Sequence, residues 1–278
     1  METFSRDGLV FDVRDHRPAG GGGTDVVVCL HGFPQDSRAF DAVALRLTDA
    51  GLRVLVPDQR GYSPGARPPG RAAYLLPELV GDVLALADAA GAGRVHVVGH
   101  DWGGVVAWAL AAGHPERVRS ATVLSTPHPA AMRAAVLRGT QAPRSAYVAG
   151  FQLPALPERL LLARSGAALR ALLVRGGLPA ELAAGYARRM AEPGALSAAL
   201  GWYRALPLQR ERTGPARVPV TYLHGERDPF FSPAAVRGTA AHALGGFTDA
   251  GLPTDHWIPE REPAAVADAV LAAVRRRD

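Results

Sequence analysis

The sequence predicts an α/β fold on a mostly parallel sheet that carries a helical insertion, and three observations point there. From Thr24 onward, short apolar runs alternate with Ala- and Leu-rich stretches of helical period. The runs VVVCLHG, RVLVPD, VHVVGHD and SATVLST are nearly uninterrupted, as befits strands covered on both faces. After STPHP the strand pattern stops, and it resumes only at VPVTYLHGERD.

In chain order, METFSR and LVFDVRDH read as an antiparallel hairpin turned at Asp7-Gly8, because Asp-Gly favours the positive φ angles of a two-residue turn. The run Gly20–Gly23 reads as a flexible surface connection, since no helix follows it to make a phosphate cradle. Helices are expected near 37–50, 76–90 and 103–113, with Gly51, Gly91 and Gly113 as their C-terminal stops. The strand-free stretch is helical and punctuated by proline, in QAPRSAYVAGFQLPALPERLLLA, LPAELAAGYARRM and EPGALSAALGWYRAL. A helix near 233–242, a strand near GGFTDAG and a closing helix near 262–275 complete the reading. The expected division is a core of residues 1–127 and 216–278 and a helical cap of residues 128–215.

Composition excludes several functions. The net charge of +5 comes with no Lys, no Asn and a single Ile, Ile258, so Arg stands in for Lys throughout. These arginines are scattered, the RRRD tail reads as a solvated helix end, and no basic stripe interleaved with aromatics suggests nucleic acid. METFSRDGLVFDV has no apolar h-region and no run is long enough to span a bilayer, so a soluble, cytoplasmic protein is expected, without a membrane partner. One cysteine, Cys29, excludes an internal disulfide and a Cys-based metal site. No His pair has ligand spacing and no nucleotide motif occurs, so neither metal nor cofactor is expected.

The chemistry gathers around GHDWGG, residues 99–104. Between an apolar strand and a helix, the frame Gly-x-Asp-x-Gly makes a sharp elbow that lifts Asp101 clear at the C-terminal sheet edge. The plain alternative is that Asp101 caps the helix beginning at Trp102 or Gly103. As a nucleophile it needs no base to deprotonate it, and the helix dipole is expected to keep it ionised. HGFP, residues 31–34, ends in a tight Phe33-Pro34 turn. The N–H groups of Phe33 and Trp102 would form an oxyanion hole, with His31 organising the loop. An acid and then a histidine should follow in chain order, which selects Asp228 in HGERDPFF and His256 in LPTDHWIPE over the competing acids Asp249 and Asp255. His100 and His128 read as packing or loop residues.

With HGFP, DQRGY at 58–62, GHDWGG and STPHP in hand, the sequence resembles the α/β-hydrolase superfamily, and within it the soluble epoxide hydrolases, over nearly its whole length. The resemblance implies a helical cap with two tyrosines that hydrogen-bond the epoxide oxygen. Tyr147, in SAYVAGFQLP, and Tyr203, in GWYRAL, stand at those positions. It further implies attack by Asp101, an alkyl-enzyme ester, its hydrolysis by water activated by His256 and Asp228, and a vicinal diol as product. Phe33, Trp102, Tyr147, Tyr203 and Trp257 are expected to meet a small-molecule, apolar epoxide, whose size the sequence leaves open. A homodimer is left open.

The same Asp elbow occurs in haloalkane and haloacetate dehalogenases, so dehalogenation and other Asp-nucleophile hydrolyses stay as alternatives, as does a binding protein that keeps the fold. A halide asks for N–H donors from a Trp pair or from Trp and Asn. Here only Trp102 is in place, position 33 is Phe, and the chain has no Asn. The arginines that hold a haloacetate carboxylate are missing from WGGVVAW. One departure stands out: the histidine loop reads TDHW, where the resembled family carries Gly before the His.

Overall fold

A computed structural model describes residues 1–19 and 25–276. Gly20–Gly23 and the end of the RRRD tail lie outside the described residues. Strands β1 (Thr3–Arg6) and β2 (Leu9–His16) form the expected hairpin, with Asp7 at φ 51° and Gly8 at φ 78° in its turn. β3 (Val26–Leu30), β4 (Arg53–Pro57), β5 (Val95–His100), β6 (Val118–Leu124), β7 (Val220–Gly225) and β8 (Phe247–Leu252) complete an eight-stranded sheet in the order β1-β2-β4-β3-β5-β6-β7-β8. Among the described residues, only the β1/β2 and β2/β4 pairs are antiparallel.

Helices α1 (Asp41–Asp49), α2 (Leu76–Ala89) and α3 (Trp102–Gly113) follow β3, β4 and β5. The strand-free stretch between β6 and β7 folds as α4 (Pro129–Leu137), α5 (Ala146–Phe151), α6 (Leu156–Leu161), α7 (Ala163–Arg175), α8 (Ala180–Met190) and α9 (Ala195–Ala205). α10 (Pro233–Gly238), α11 (Ile258–Arg261) and α12 (Pro263–Arg275) close the chain. Two helix pairs, α1 with α12 and α2 with α3, cover the sheet. Every residue of β3 and β5 is therefore buried, which is why those strands read as unbroken apolar runs rather than alternating ones.

Details of the boundaries differ from expectation. The first helix is divided, with a 3₁₀ turn at Ser37–Phe40, capped by Asp36, leading into α1. Gly51 and Gly91 end their helices at φ 90° and 70°, whereas Gly113 stays inside α3. His114 closes that helix ahead of Pro115, which has no N–H to continue it. No helix among the described residues is long and apolar enough to cross a membrane, and no group of His, Cys, Asp or Glu among them could hold a metal.

Parallel β5 and β6 end side by side, with His100 opposite Leu124, while Leu30 of β3 lies opposite Gly99. The segments leaving β3, β5, β6 and β7 thus start from one sheet edge, which is where the candidate chemistry collects.

Candidate active site

Asp101 follows β5 directly and occupies the N-cap position of α3 at φ 51° and ψ −117°, a backbone conformation few side chains adopt. The elbow closes around it with no spare room. A Cβ on Gly99 would strike the carbonyl of Gly103, one on Gly103 would strike the carbonyl of Leu30, and one on Gly32 would strike Asp101 itself. Gly103→Ala is expected to cost about 2–3 kcal/mol of stability, because the obstacle is backbone and cannot rotate away; the denaturant midpoint checks this.

The Asp101 side chain makes no capping bond. Its Oδ1 accepts the Phe33 N–H at 2.8 Å, while Oδ2 faces His256 Nε2 at 3.8 Å, and the nearby Trp102 N–H also favours the charged form. Its main-chain carbonyl accepts from Thr126 Oγ1 at 2.8 Å, fixing the elbow from the end of β6. Burial raises the Asp101 carboxyl above the usual carboxylate range, and the His256 charge and the two amides only partly oppose it. The helix dipole favours the ionised form, but desolvation of the carboxylate outweighs it in setting the direction of the shift.

His256 donates Nδ1–H to Asp228 Oδ2 at 2.7 Å, and Asp228 Oδ1 accepts the Phe230 N–H at 2.7 Å. The carboxylate fixes the tautomer and leaves the neutral ring's Nε2 lone pair toward Asp101. Burial alone would lower the imidazole, but the charge and hydrogen bond of Asp228, together with the Asp101 and Glu260 charges, leave it raised. Asp249 lies 3.4 Å from His224 instead, and Asp255 accepts the Trp257 N–H at 3.1 Å. His31 is wholly buried; its Nδ1 bonds the Gly32 carbonyl and its Nε2 accepts the Gln59 N–H.

Above the carboxylate lies a cavity of about 550 Å³, lined by Asp101, Trp102, Met132, Tyr147, Tyr203 and Phe230 among others, mostly apolar. Tyr147 comes from α5 and Tyr203 from α9, their ring centroids 6.1 Å apart. Trp102 packs edge-on against Tyr203 at 5.0 Å. Burial of Tyr203, and desolvation of Tyr147 where its hydroxyl faces the cavity although the residue is 39% exposed, push both phenols up, reinforced for each by nearby groups including Asp101, so both keep their protons.

Phe33 offers its amide to Asp101, but its ring packs edge-on against Tyr203 at 5.4 Å and does not line the cavity. Trp257, expected in the substrate pocket, is turned away from it. Its indole is 2% exposed, lies behind His256, and donates Nε1–H to the Gly176 carbonyl at 2.9 Å. The same docking accommodates the TDHW departure: Asp255 rests on Gly177, at φ 102°, where any Cβ would strike its carboxylate. Phe230 and Phe231 are not among the residues that the sequence motifs select, yet both line the cavity, and Phe230 packs edge-on against His256 at 4.7 Å. Their one signal in the sequence is position, an aromatic pair just past the acid that follows β7.

Residues 25–263 match the alpha/beta hydrolase fold family. The AB hydrolase superfamily protein YfhM of Bacillus subtilis is 34% identical over 259 residues, covering 91% of each chain. Epoxide hydrolase A of Mycobacterium tuberculosis is 30% identical over 298 aligned positions, again covering 91% of each. Among solved structures, one of the epoxide hydrolases from metagenomes of hot environments superposes with a TM-score of 0.83 at 26% identity, over 99% of this chain and 98% of that one. The sheet order, the glycine-framed elbow at its C-terminal edge and the span of these matches agree, and the chain belongs to the alpha/beta hydrolase fold family.

Proposed function

We propose that this chain is an epoxide hydrolase, converting a small apolar epoxide to a vicinal diol through an ester on Asp101. The observation that carries the reading is the pair of phenols, Tyr147 and Tyr203, lining one mostly apolar cavity together with the Asp101 carboxylate. The similarity to Epoxide hydrolase A supports it. In this reading residues 128–215 act as a cap, since α5 and α9 supply the phenols.

Geometry supports an assignment of the two carboxylate oxygens. Oδ1 is engaged by the Phe33 amide, so Oδ2 attacks an epoxide carbon. The C–O bond of the ring breaks as the ester bond forms, and the ring oxygen takes a proton from one tyrosine while both donate hydrogen bonds to it. His256 then removes a proton from water, whose oxygen adds to the ester carbonyl while the Phe33 and Trp102 amides hold Oδ1 as it becomes an oxyanion. Collapse breaks the acyl C–O bond and releases the diol, the proton on His256 passing to the leaving alkoxide, and the carboxylic acid left on Asp101 gives up its proton to restore the tyrosinate to a phenol. The 3.8 Å between His256 Nε2 and Asp101 Oδ2 exceeds a hydrogen bond, which suits a base for water and is not needed by a nucleophile already ionised.

Diol formation from styrene oxide, measured beside halide release from a 1-haloalkane, tests this reading. Diol without halide is expected; halide without diol would make the protein a dehalogenase. In single-turnover runs, Tyr147→Phe combined with Tyr203→Phe is expected to slow ester formation by about 10³-fold and ester hydrolysis far less. Equal slowing of both steps would remove the tyrosines from ring opening.

A further inference from the structure

Behind the Asp101–His256 line lies a second buried polar chain that the proposed reaction does not use. Glu260, on α11, accepts from Gln35 Nε2 at 2.7 Å and from the Tyr186 hydroxyl of α8 at 3.0 Å, both on Oε1. Its Oε2 is buried and has no hydrogen-bond partner among the described residues. Gln35 Oε1 accepts the Gly32 N–H at 2.8 Å and meets His100 Nδ1 at 2.8 Å, and His100 Nε2 meets the His256 carbonyl at 2.9 Å. One carboxyl group is thereby linked through Gln35 to the main chain at Gly32, just before the amide facing Asp101.

A glutamine side chain has a donor end and an acceptor end of nearly equal shape, and its partners decide which way it lies. A carboxylate only accepts. By holding the NH₂ end of Gln35, Glu260 turns the carbonyl end toward Gly32 N–H. That bond secures the turn in which the next amide, Phe33 N–H, points at Asp101 Oδ1. We propose that Glu260 is a positioning residue, orienting Gln35 and with it the Phe33 amide, and adding its charge to those of Asp228 and Asp101 on His256. Its catalytic consequence rests on the epoxide reading; its effects on Gln35 and His256 do not.

Burial pushes the Glu260 carboxyl up to about 7, against the hydrogen bonds of Gln35 and Tyr186 and the His256 charge. Other titratable and charged groups face this cluster. Asp36 and Arg38, after the Phe33-Pro34 turn, pair with each other, and Arg38 lies 6.0 Å over the Tyr186 ring. The Tyr186 phenol is pushed up by burial and by Glu260, so it stays a donor. His100, at the end of β5, is held neutral by burial and by the nearby His256 charge, and burial lowers the His31 imidazole as well. No arginine ion pair reaches Glu260 among the described residues, so above about pH 7, where its carboxyl is ionised, its charge acts on His256 without a cation of its own.

A negative charge facing His256 raises its pKa, and the ring must be neutral to take a proton from water. Removing that charge lowers the His256 pKa and moves the acid limb of the kcat profile to lower pH. Glu260→Gln keeps an acceptor for Gln35 and Tyr186 without the charge, and Glu260→Ala removes both.

The test is an NMR titration of His256 and of the Phe33 amide in the substrate-free protein, with kcat–pH profiles on styrene oxide alongside. In Glu260→Gln the His256 pKa is expected to fall by roughly half a unit or more, and the acid limb with it, while the Phe33 amide signal stays in place. In Glu260→Ala the Phe33 signal is expected to move and ester hydrolysis to slow by roughly tenfold, most of which Glu260→Gln restores. An unchanged His256 titration in Glu260→Gln, or wild-type rates with an unmoved Phe33 signal in Glu260→Ala, would overturn the proposal. If the wild-type protein opens no epoxide while both NMR changes occur, the epoxide reading fails and the positioning role stands.

Discussion

Asp101→Asn is expected to lower epoxide turnover by on the order of 10⁴-fold or more and to form no covalent adduct, while leaving the protein at least as stable as the parent. The two halves of that expectation have one cause. Asn keeps an oxygen for the Phe33 amide, so the elbow keeps that hydrogen bond. It lacks the anion that attack at saturated carbon requires. Because burial raises the Asp101 carboxyl, the folded protein binds its proton more tightly than the unfolded chain does. Between the ordinary carboxylate pKa and the raised one, stability therefore falls as pH rises, and above that window the ionised carboxylate is a standing cost. Asparagine removes the cost and the reaction together. Unfolding midpoints at pH 7 beside single-turnover rates check both; an active Asp101→Asn protein would end the nucleophile assignment.

Part of this arrangement is legible in the amino-acid sequence, and the reasons are local. The elbow can be read because Gly99 and Gly103 are demanded by backbone carbonyls a few residues away or on the adjacent strand, so the motif carries its own explanation. Strand order brings the segments holding Asp101, Asp228 and His256 to one sheet edge, and chain order alone can nominate them. Tyr147 and Tyr203 are legible only through resemblance, since a tyrosine on an amphipathic helix is equally at home as a core residue with a wet hydroxyl. What stays hidden depends on long-range docking. Trp257 is turned from the cavity by Gly176, which lies 81 residues away, and Gln35 meets Glu260 across 225 residues. No periodicity or spacing reports such pairs. The raised carboxyl of Asp101 is hidden too, because a helix dipole can be read from sequence while the depth of burial opposing it cannot.

His256→Gln separates the two halves of the proposed reaction. Glutamine fills much of the imidazole's space and can hydrogen-bond Asp228, but it cannot take a proton from water. Ester formation needs only the Asp101 anion and the two phenols, so it is expected to survive within about tenfold, while ester hydrolysis falls by about 10³–10⁴-fold. The enzyme should then stop after one turnover with the epoxide attached. Intact-protein mass spectrometry after incubation with styrene oxide is expected to read a gain equal to the whole epoxide, carried on the peptide containing Asp101. The whole mass matters because the ring oxygen remains on the carbon skeleton when the C–O bond opens, whereas a halide departs. A gain equal to the alkyl group, from a 1-haloalkane and not from styrene oxide, would therefore assign the same carboxylate to dehalogenation. No adduct from either compound would mean that Asp101 is not a nucleophile toward either class, and the 3.8 Å between His256 and Asp101 would then need another explanation than room for a water attacking an ester.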